Sequence, residues 1–387
     1  MTARGRPWGA KAATAAAVAW ALSGCGVGSA PPSPAPSSSS SSSASWPSSS
    51  ASGATGVPGA EGHEVVVYTS VDQVFSEPVL QAFEAATGVK VRAVYDTEEA
   101  KSTGVLNRLL AEAASPRADV FWSGDPVRPF VLVKRGLVAP YVSPEAAGIP
   151  AAFKAADGTW TGFAARARVL LVNTTRVAAA DRPRSVRDLA DPRWKGAVAV
   201  ANPLFGTTTM HVAALVAAWG EPAAHSFLDA LKANGVRLAT SNGDVKRLVA
   251  AGEVAFGLCD TDDAHEALAD GAPVEVVYPD QDPPAAVSGT TAVPTAPLGT
   301  LVMPTSVVVL KGGPHPDDAR RLVDFLLSAE VERRLADAAA HMPLRAGVPS
   351  PPGVRRAGEL RAMTVDFARV ADAMEADQPW LREWVGL

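Results

Sequence analysis

Where an apolar run stops, three carboxylates gather within four residues: Val254-Ala255-Phe256-Gly257-Leu258-Cys259 leads directly into Asp260, Asp262 and Asp263. An apolar strand ending in acids carries them to the edge of a sheet, the place where open α/β sheets bind ligands. Such hard oxygen donors suit a metal ion or an ammonium group. The same acids would equally cap, or occupy the first turn of, a helix expected from about Ala264 to Asp270.

Groups of the opposite sign lie on other stretches. Arg166 and Arg168, in Ala165-Arg166-Ala167-Arg168-Val169-Leu170, fall at strand spacing and share one face. They could clamp a carboxylate or phosphate, or stand as a salt-bridged pair on an edge strand. Gly206-Thr207-Thr208 follows a strand and opens a helix. Free backbone N–H groups and two hydroxyls there make an anion cradle, and simple helix caps are the other reading. The polar turns Ser70-Val71-Asp72-Gln73 and Ser123-Gly124-Asp125, each after a β-branched or aromatic run, add candidate contacts, as does Asn242 at the start of a short helix.

Nucleophilic and metalloenzyme chemistry finds little support. Cys259 has no histidine beside it in sequence and reads as a small buried apolar residue. His211, His225, His265, His315 and His341 form no metal-binding pattern and read as structural or surface residues. No P-loop, Gly-x-Ser-x-Gly or dinucleotide fingerprint occurs. The chain is therefore not expected to be an enzyme, although a hydrolase using its carboxylates as acid and base is a conceivable alternative.

Strands alternating with helices must position these groups. Val65 to Tyr68, Lys90 to Tyr95, Ala118 to Trp122, Ala197 to Ala201, Val254 to Cys259, Val274 to Tyr278 and Leu301 to Leu310 read as strands. A helix with Ser76 as cap and Pro78 in its first turn is expected to run to Gly88. This alternation argues an α/β class with a mainly parallel sheet. Pro283 to Pro297 reads as an irregular loop.

The N-terminus differs in texture. Arg4, Arg6 and Lys11 precede an apolar stretch from Ala12 to Leu22, too short to span a bilayer, as in a secretory signal. Leu22-Ser23-Gly24-Cys25 then resembles the lipobox of bacterial lipoproteins, which implies cleavage after residue 24 and lipidation of Cys25. Residues 25–62 are mostly Ser, Pro, Ala and Gly, with Ser unbroken from Ser37 to Ser43, and read as a disordered tether. The chain of 387 residues is long enough for two domains, and 47% hydrophobic with 19% charged residues is ordinary globular composition. Its net charge of −5 gives no reason to expect nucleic-acid binding, and two cysteines form no disulfide framework.

Taken in order, Val66-Val67-Tyr68-Thr69-Ser70, Ala118 to Ser123, Ala165 to Leu170, Pro203 to Thr208 and Gly257-Leu258 resemble the solute-binding proteins of bacterial ABC importers, with the ferric-ion-binding proteins the nearest group. The resemblance covers about Val65 to Leu344. It implies a two-lobed periplasmic-binding-protein fold of type II with a ligand cleft between the lobes. Lobe 1 would be residues 63–170 plus about 300–345, and lobe 2 residues 171–299 plus about 346–387. The resemblance also implies iron(III) as cargo, with no resident cofactor.

Residue by residue, it assigns ligand contacts to the loop from Ser70 to Gln73, with an acidic ligand at Asp125. Gly206, Thr207 and Asn242 fall on the anion side. The paired tyrosines that hold iron in the family fall at Asp262 and Asp263, so any metal here would rest on Asp125, Asp262 and Asp263. A cluster of acids opposite Arg166 and Arg168 equally suits an aminophosphonate, sugar phosphate or polyol. The expected partners are an ABC permease, the small ligand and a membrane reached through the lipid anchor, with the protein a monomer on the extracytoplasmic side. A sensor subunit for a membrane receptor shares the same fold.

Overall fold

The computed structural model describes residues 62–96, 103–282 and 296–387. The signal segment, Cys25 and the tether, and most of the loop expected from Pro283 to Pro297, lie outside the described residues. Among the described residues, no helix is long and apolar enough to cross a membrane.

The first half is built on β1 (Glu64–Thr69), which pairs in parallel with both β2 (Lys90–Tyr95) and β3 (Val120–Ser123). Two helices, α1 (Gln73–Thr87) and α2 (Thr103–Ala111), make the crossovers, as parallel neighbours require. α1 starts at Gln73, three residues before the expected cap, so Pro78 sits inside it. The N–H that Pro78 lacks would have bonded Val74, only the second residue of the helix. Ser76 turns its hydroxyl back to the carbonyls of Val71 and Asp72 instead of capping. Gly88 ends the helix in the left-handed region at φ 72°, where a side chain is disfavoured.

A second parallel group lies in the other half. There β6 (Val198–Ala201) pairs with β7 (Arg237–Ala239) and with β8 (Phe256–Asp260). All five residues of β8 are buried, as expected for a strand covered on both faces. α4 (Gly206–Trp219), α5 (Glu221–Ala233) and α6 (Asn242–Ala250) cover this group, and α7 (Thr261–Ala269) leaves directly from β8.

Two long antiparallel strands join the halves. β5 (Thr161–Asn173) pairs with β10 (Val302–Leu310) through its first half, then with β8 and with β9 (Val274–Val277) through its second. β10 returns to pair with β3 and with the short β4 (Val138–Ala139). The resulting order β2-β1-β3-β10-β5-β8-β6-β7 is the two-lobed type II arrangement. The join carries an irregularity: Ala165 pairs with Pro304 and Phe163 with Thr305, so Ala164 is the extra residue of a bulge and adopts φ 44°. Proline in a central strand is tolerated at such a bulge because it needs no donor there. Gly162 is required beside it, since a Cβ would lie 2.8 Å from the Pro304 ring.

α3 (Arg128–Lys134) follows β3, and α8 (Pro316–Leu326) and α9 (Ala329–Ala339) follow β10. The C-terminal α10 (Phe367–Ala376) packs on α4 and α3, while α11 (Gln378–Val385) adds Leu381 and Trp384 to the core around Phe227 and Leu228.

Candidate functional site

The acids are delivered as β8 ends. Asp260 is the last residue of the strand, and α7 begins at Thr261 rather than near Ala264, so Asp262 and Asp263 occupy its first turn. A helix N-terminus stabilises negative charge, which is why this sequence turns helical immediately after the strand. Asp263 reaches back to accept the Asp260 backbone N–H at 3.4 Å. One oxygen from each of Asp260, Asp262 and Asp263 lies within 4.8 Å of the others.

The antiparallel register of β5 and β8 sets Arg168 opposite Asp260. Arg168 Nη1 donates to Asp260 Oδ1 at 2.6 Å and also to Thr207 Oγ1 and Asn242 Oδ1, each at 3.0 Å. Its Nη2 donates to Thr208 Oγ1 at 3.2 Å. Thr207 in turn donates to Asp260 Oδ2 at 2.9 Å and accepts from Asn242 Nδ2 at 2.8 Å. With Arg168 at 0% and Asp260 at 1% exposure, this network lies beneath the cleft and ties β5, β8, α4 and α6 together. Arg168 is thus consumed by protein partners.

Arg166, two residues earlier on the same face, is the guanidinium that lines the cleft. Its Nη1 lies 3.3 Å from Asp262 Oδ2 and 3.4 Å from Asp260 Oδ2, and Nη2 donates to the Gly124 carbonyl at 2.9 Å. It therefore links the loop after β3 to the start of α7.

The cleft has a volume of about 300 Å³. Ser70 and Asp72 line it from the β1–α1 turn, Phe75 from the first turn of α1, and Gly206, Thr207 and Thr208 from the α4 N-terminus. Asn242 enters from α6, and the three aspartates from β8 and α7. α4 starts at Gly206 with φ 59°, and the residue before it, Phe205, offers no side-chain cap. The two threonine hydroxyls turn to Arg168, so they do not cap their own helix. The first N–H groups of α4 consequently have no intrahelical acceptor, and its positive end opens on the cleft.

Other candidates have protein partners. Asp125 Oδ1 accepts the backbone N–H groups of Val127 and Arg128 at 2.9 and 3.0 Å, and its Oδ2 pairs with Arg128 Nη1 at 2.6 Å. It borders the cleft with its carboxylate engaged at the head of α3. Ser70 Oγ accepts the Gly124 N–H at 2.9 Å and joins two of the loops. Cys259 is buried, and burial with Asp263 nearby raises its thiol well above the usual range, so it is inert interior.

The charges are unevenly balanced. Burial would raise Asp260, but the Arg168 and Arg166 charges overcome it and hold the carboxyl below its ordinary range. Burial raises Asp262, with Asp260 adding to it against Arg166. Burial, then Asp262 and Asp260, push Asp263 well above the usual carboxylate range. Three acids share two arginines, and one arginine is sequestered; an added cation would let all three ionise.

The cleft also includes residues that sequence reading passed over. Thr305 enters from β10, Phe205 from the loop before α4, and His341 from the segment after α9. Nothing local marks His341, because its neighbours in space, Arg166 and Asp260, are 175 and 81 positions away in the chain. Burial and the Arg166 charge push its imidazole down to about 3, so it is neutral.

A family model described as bacterial extracellular solute-binding protein matches residues 115–365. Iron uptake protein A1 of Synechocystis sp. is 28% identical over 326 residues, covering 81% of this chain and 85% of its own. The major ferric iron-binding protein of Neisseria meningitidis is 28% identical over 318 residues, covering 81% and 90%. The crystal structure of iron-bound HitA from Pseudomonas aeruginosa aligns with a TM-score of 0.71 at 26% identity, covering 84% of this chain and 100% of that one.

Proposed function

The chain belongs to the family of bacterial extracellular solute-binding proteins, and on that premise we propose that its cleft captures a metal cation together with an anion, iron(III) being the first expected cargo, for delivery to an ABC permease. One observation carries the reading: an acid cluster deficient in positive partners shares a cleft with the open N-terminus of α4. Asp262 and Asp263 would take the cation and the amides of Gly206, Thr207 and Thr208 the anion. The relatives named for iron uptake and for ferric iron binding support the choice of metal. A ligand that touches both walls binds the closed arrangement better than the open one and so favours closure.

In the cell, cleavage after residue 24 and lipidation of Cys25 would anchor the protein on the extracytoplasmic face. The lobes, residues 63–170 plus about 300–345 and 171–299 plus about 346–387, would then work at the end of the tether.

A second reading is favoured by Arg166, which already holds Asp262 and Asp260. A zwitterion such as an aminophosphonate would set its ammonium group on the acids and its anionic group on α4. Calorimetry of the full chain with ferric citrate and with 2-aminoethylphosphonate separates the two. Asp262→Ala/Asp263→Ala should abolish binding of whichever ligand the wild type takes, with the fold retained. Unchanged affinity in that variant would remove the pair from the site.

A further inference from the structure

We propose that Arg166 sets the charge selectivity of the cleft: it turns bare cations away and admits a cation only as part of a cargo that also carries an anion. This rests on the cation-plus-anion reading above and deepens it. Among the described residues that line the cleft, Arg166 is the one lysine or arginine, set against five aspartates. Asp125 is spent on Arg128 and Asp260 on Arg168, at 2.6 Å each, while Asp262 has Arg166 beside it at 3.3 Å.

An incoming ion meets this guanidinium at close range. A metal at bonding distance from Asp262 Oδ2, about 2.0–2.6 Å, stands no more than about 6 Å from Arg166 Nη1, which is 3.3 Å from that oxygen. Even at the dielectric of bulk water, the repulsion on a divalent ion there costs about tenfold in affinity, and a partly buried site costs more. The arginine is also tied in place. Nη2 donates to the Gly124 carbonyl at 2.9 Å, in a loop that Ser70 Oγ holds through the Gly124 N–H. One residue earlier on the strand, Ala165 exchanges backbone hydrogen bonds with Met342, at 2.6 and 2.8 Å. The compensating charge has a place in the same chamber: Asp260 Oδ2 is 3.4 Å from Arg166 Nη1 and 2.9 Å from Thr207 Oγ1, so an anion on the α4 N-terminus sits close to the guanidinium. A guanidinium carries five N–H donors, and this one is 17% exposed, so it can pair with that anion while keeping its bond to Gly124. Arg168, at 0% exposure and bonded to Asp260, Thr207, Thr208 and Asn242, has no such role.

The test is calorimetry of the full chain, Arg166→Met and Arg166→Lys with manganese(II) chloride, ferric citrate and 2-aminoethylphosphonate. Arg166→Met should bind manganese at least about tenfold more tightly than the wild type and bind the wild type's paired cargo more weakly, because the repulsion and the anion's partner leave together. Arg166→Lys keeps the charge and should reject manganese as the wild type does. In the wild type itself, replacing chloride by sulfate at equal ionic strength should raise manganese affinity, a readout that needs no variant to fold. Equal manganese affinity in wild type and Arg166→Met, a loss of both ligands together in Arg166→Met, or indifference of the wild type to sulfate would each overturn the proposal. Wild-type protein that takes up neither ferric citrate nor 2-aminoethylphosphonate would sink the cation-plus-anion reading itself, a failure visible before any variant is made. Binding of one of them without a gain of manganese in Arg166→Met would leave that reading standing and remove only the role given to Arg166.

Discussion

Replacing Asp260 by alanine should damage stability more than any other single change in the cleft, because it strands a charge in the interior. Arg168 is fully buried, and Asp260 is its one ionic partner in the network, at 2.6 Å. Thr207, Thr208 and Asn242 would remain as neutral acceptors at 3.0 to 3.2 Å, so some hydrogen bonding survives. Removing one member of a buried pair ordinarily costs about 3–5 kcal/mol, and those neutral acceptors place Asp260→Ala near the lower end. The Thr207 hydroxyl also loses its 2.9 Å acceptor. Urea unfolding of the full chain followed by tryptophan fluorescence measures the loss as a shift of midpoint at unchanged slope. The double variant Asp260→Ala/Arg168→Met removes the stranded charge as well and should recover to within about 1 kcal/mol of the wild type, as buried pairs replaced by apolar groups commonly do. A single variant that costs under about 1 kcal/mol, or a double variant no more stable than the single, would refute the claim that charge burial is what Asp260 relieves.

Acid should destabilise the protein through its buried imidazoles: His211 and His341 are held down to about 3 from 6.5, so the unfolded chain binds protons that the folded one refuses. Their contribution is intact above about pH 6.5 and is lost as pH falls toward 3, by up to about 1.4 kcal/mol per pH unit for each; His211→Leu should flatten the acid limb, and an unaltered slope would contradict this. Asp262 and Asp263 have the opposite sign, being raised from 3.8, so the folded form holds the extra protons and their contribution is lost as pH rises from about 3.8 through the folded values. Cation binding should then release protons, read as a dependence of calorimetric enthalpy on buffer ionisation enthalpy, and no such dependence would count against ionisation of the pair. Gly257→Ala would set a Cβ 2.4 Å from Val245 Cγ1 and 2.9 Å from the Ala199 carbonyl, where β8 meets α6. A loss of about 1–3 kcal/mol is expected by thermal unfolding, and an unchanged midpoint would show that the packing there yields.

The sequence by itself determined the strand-helix alternation, the burial of β8 and β10, and the delivery of three acids to a strand end. These are local properties: apolar runs of strand length, glycines after helices and acids at helix starts act over a few residues whatever the remainder of the chain does. Even so, two helix starts moved, α1 by four residues and α7 by three. Pro78 proved tolerable inside α1 because the bond it removes lies at the very start of the helix, and Asp262 and Asp263 occupy the first turn of an α7 that starts earlier than expected, with Asp260 at its cap. What the tertiary structure alone decided is which charges meet. Arg166 and Arg168 are indistinguishable in sequence, yet the register of β5 against β8 buries one under Thr207 and Asp260 and leaves the other on the cleft wall. Asp125 reads as a ligand until its distances to Val127 and Arg128 show its carboxylate engaged. His341 is beyond any local reading, because the bulge at Ala164 and the pairing of Ala165 with Met342 bring it beside acids that follow a different strand. Pairing between distant strands fixes such contacts, and a carboxylate's role depends on the charge beside it rather than on its neighbours along the chain.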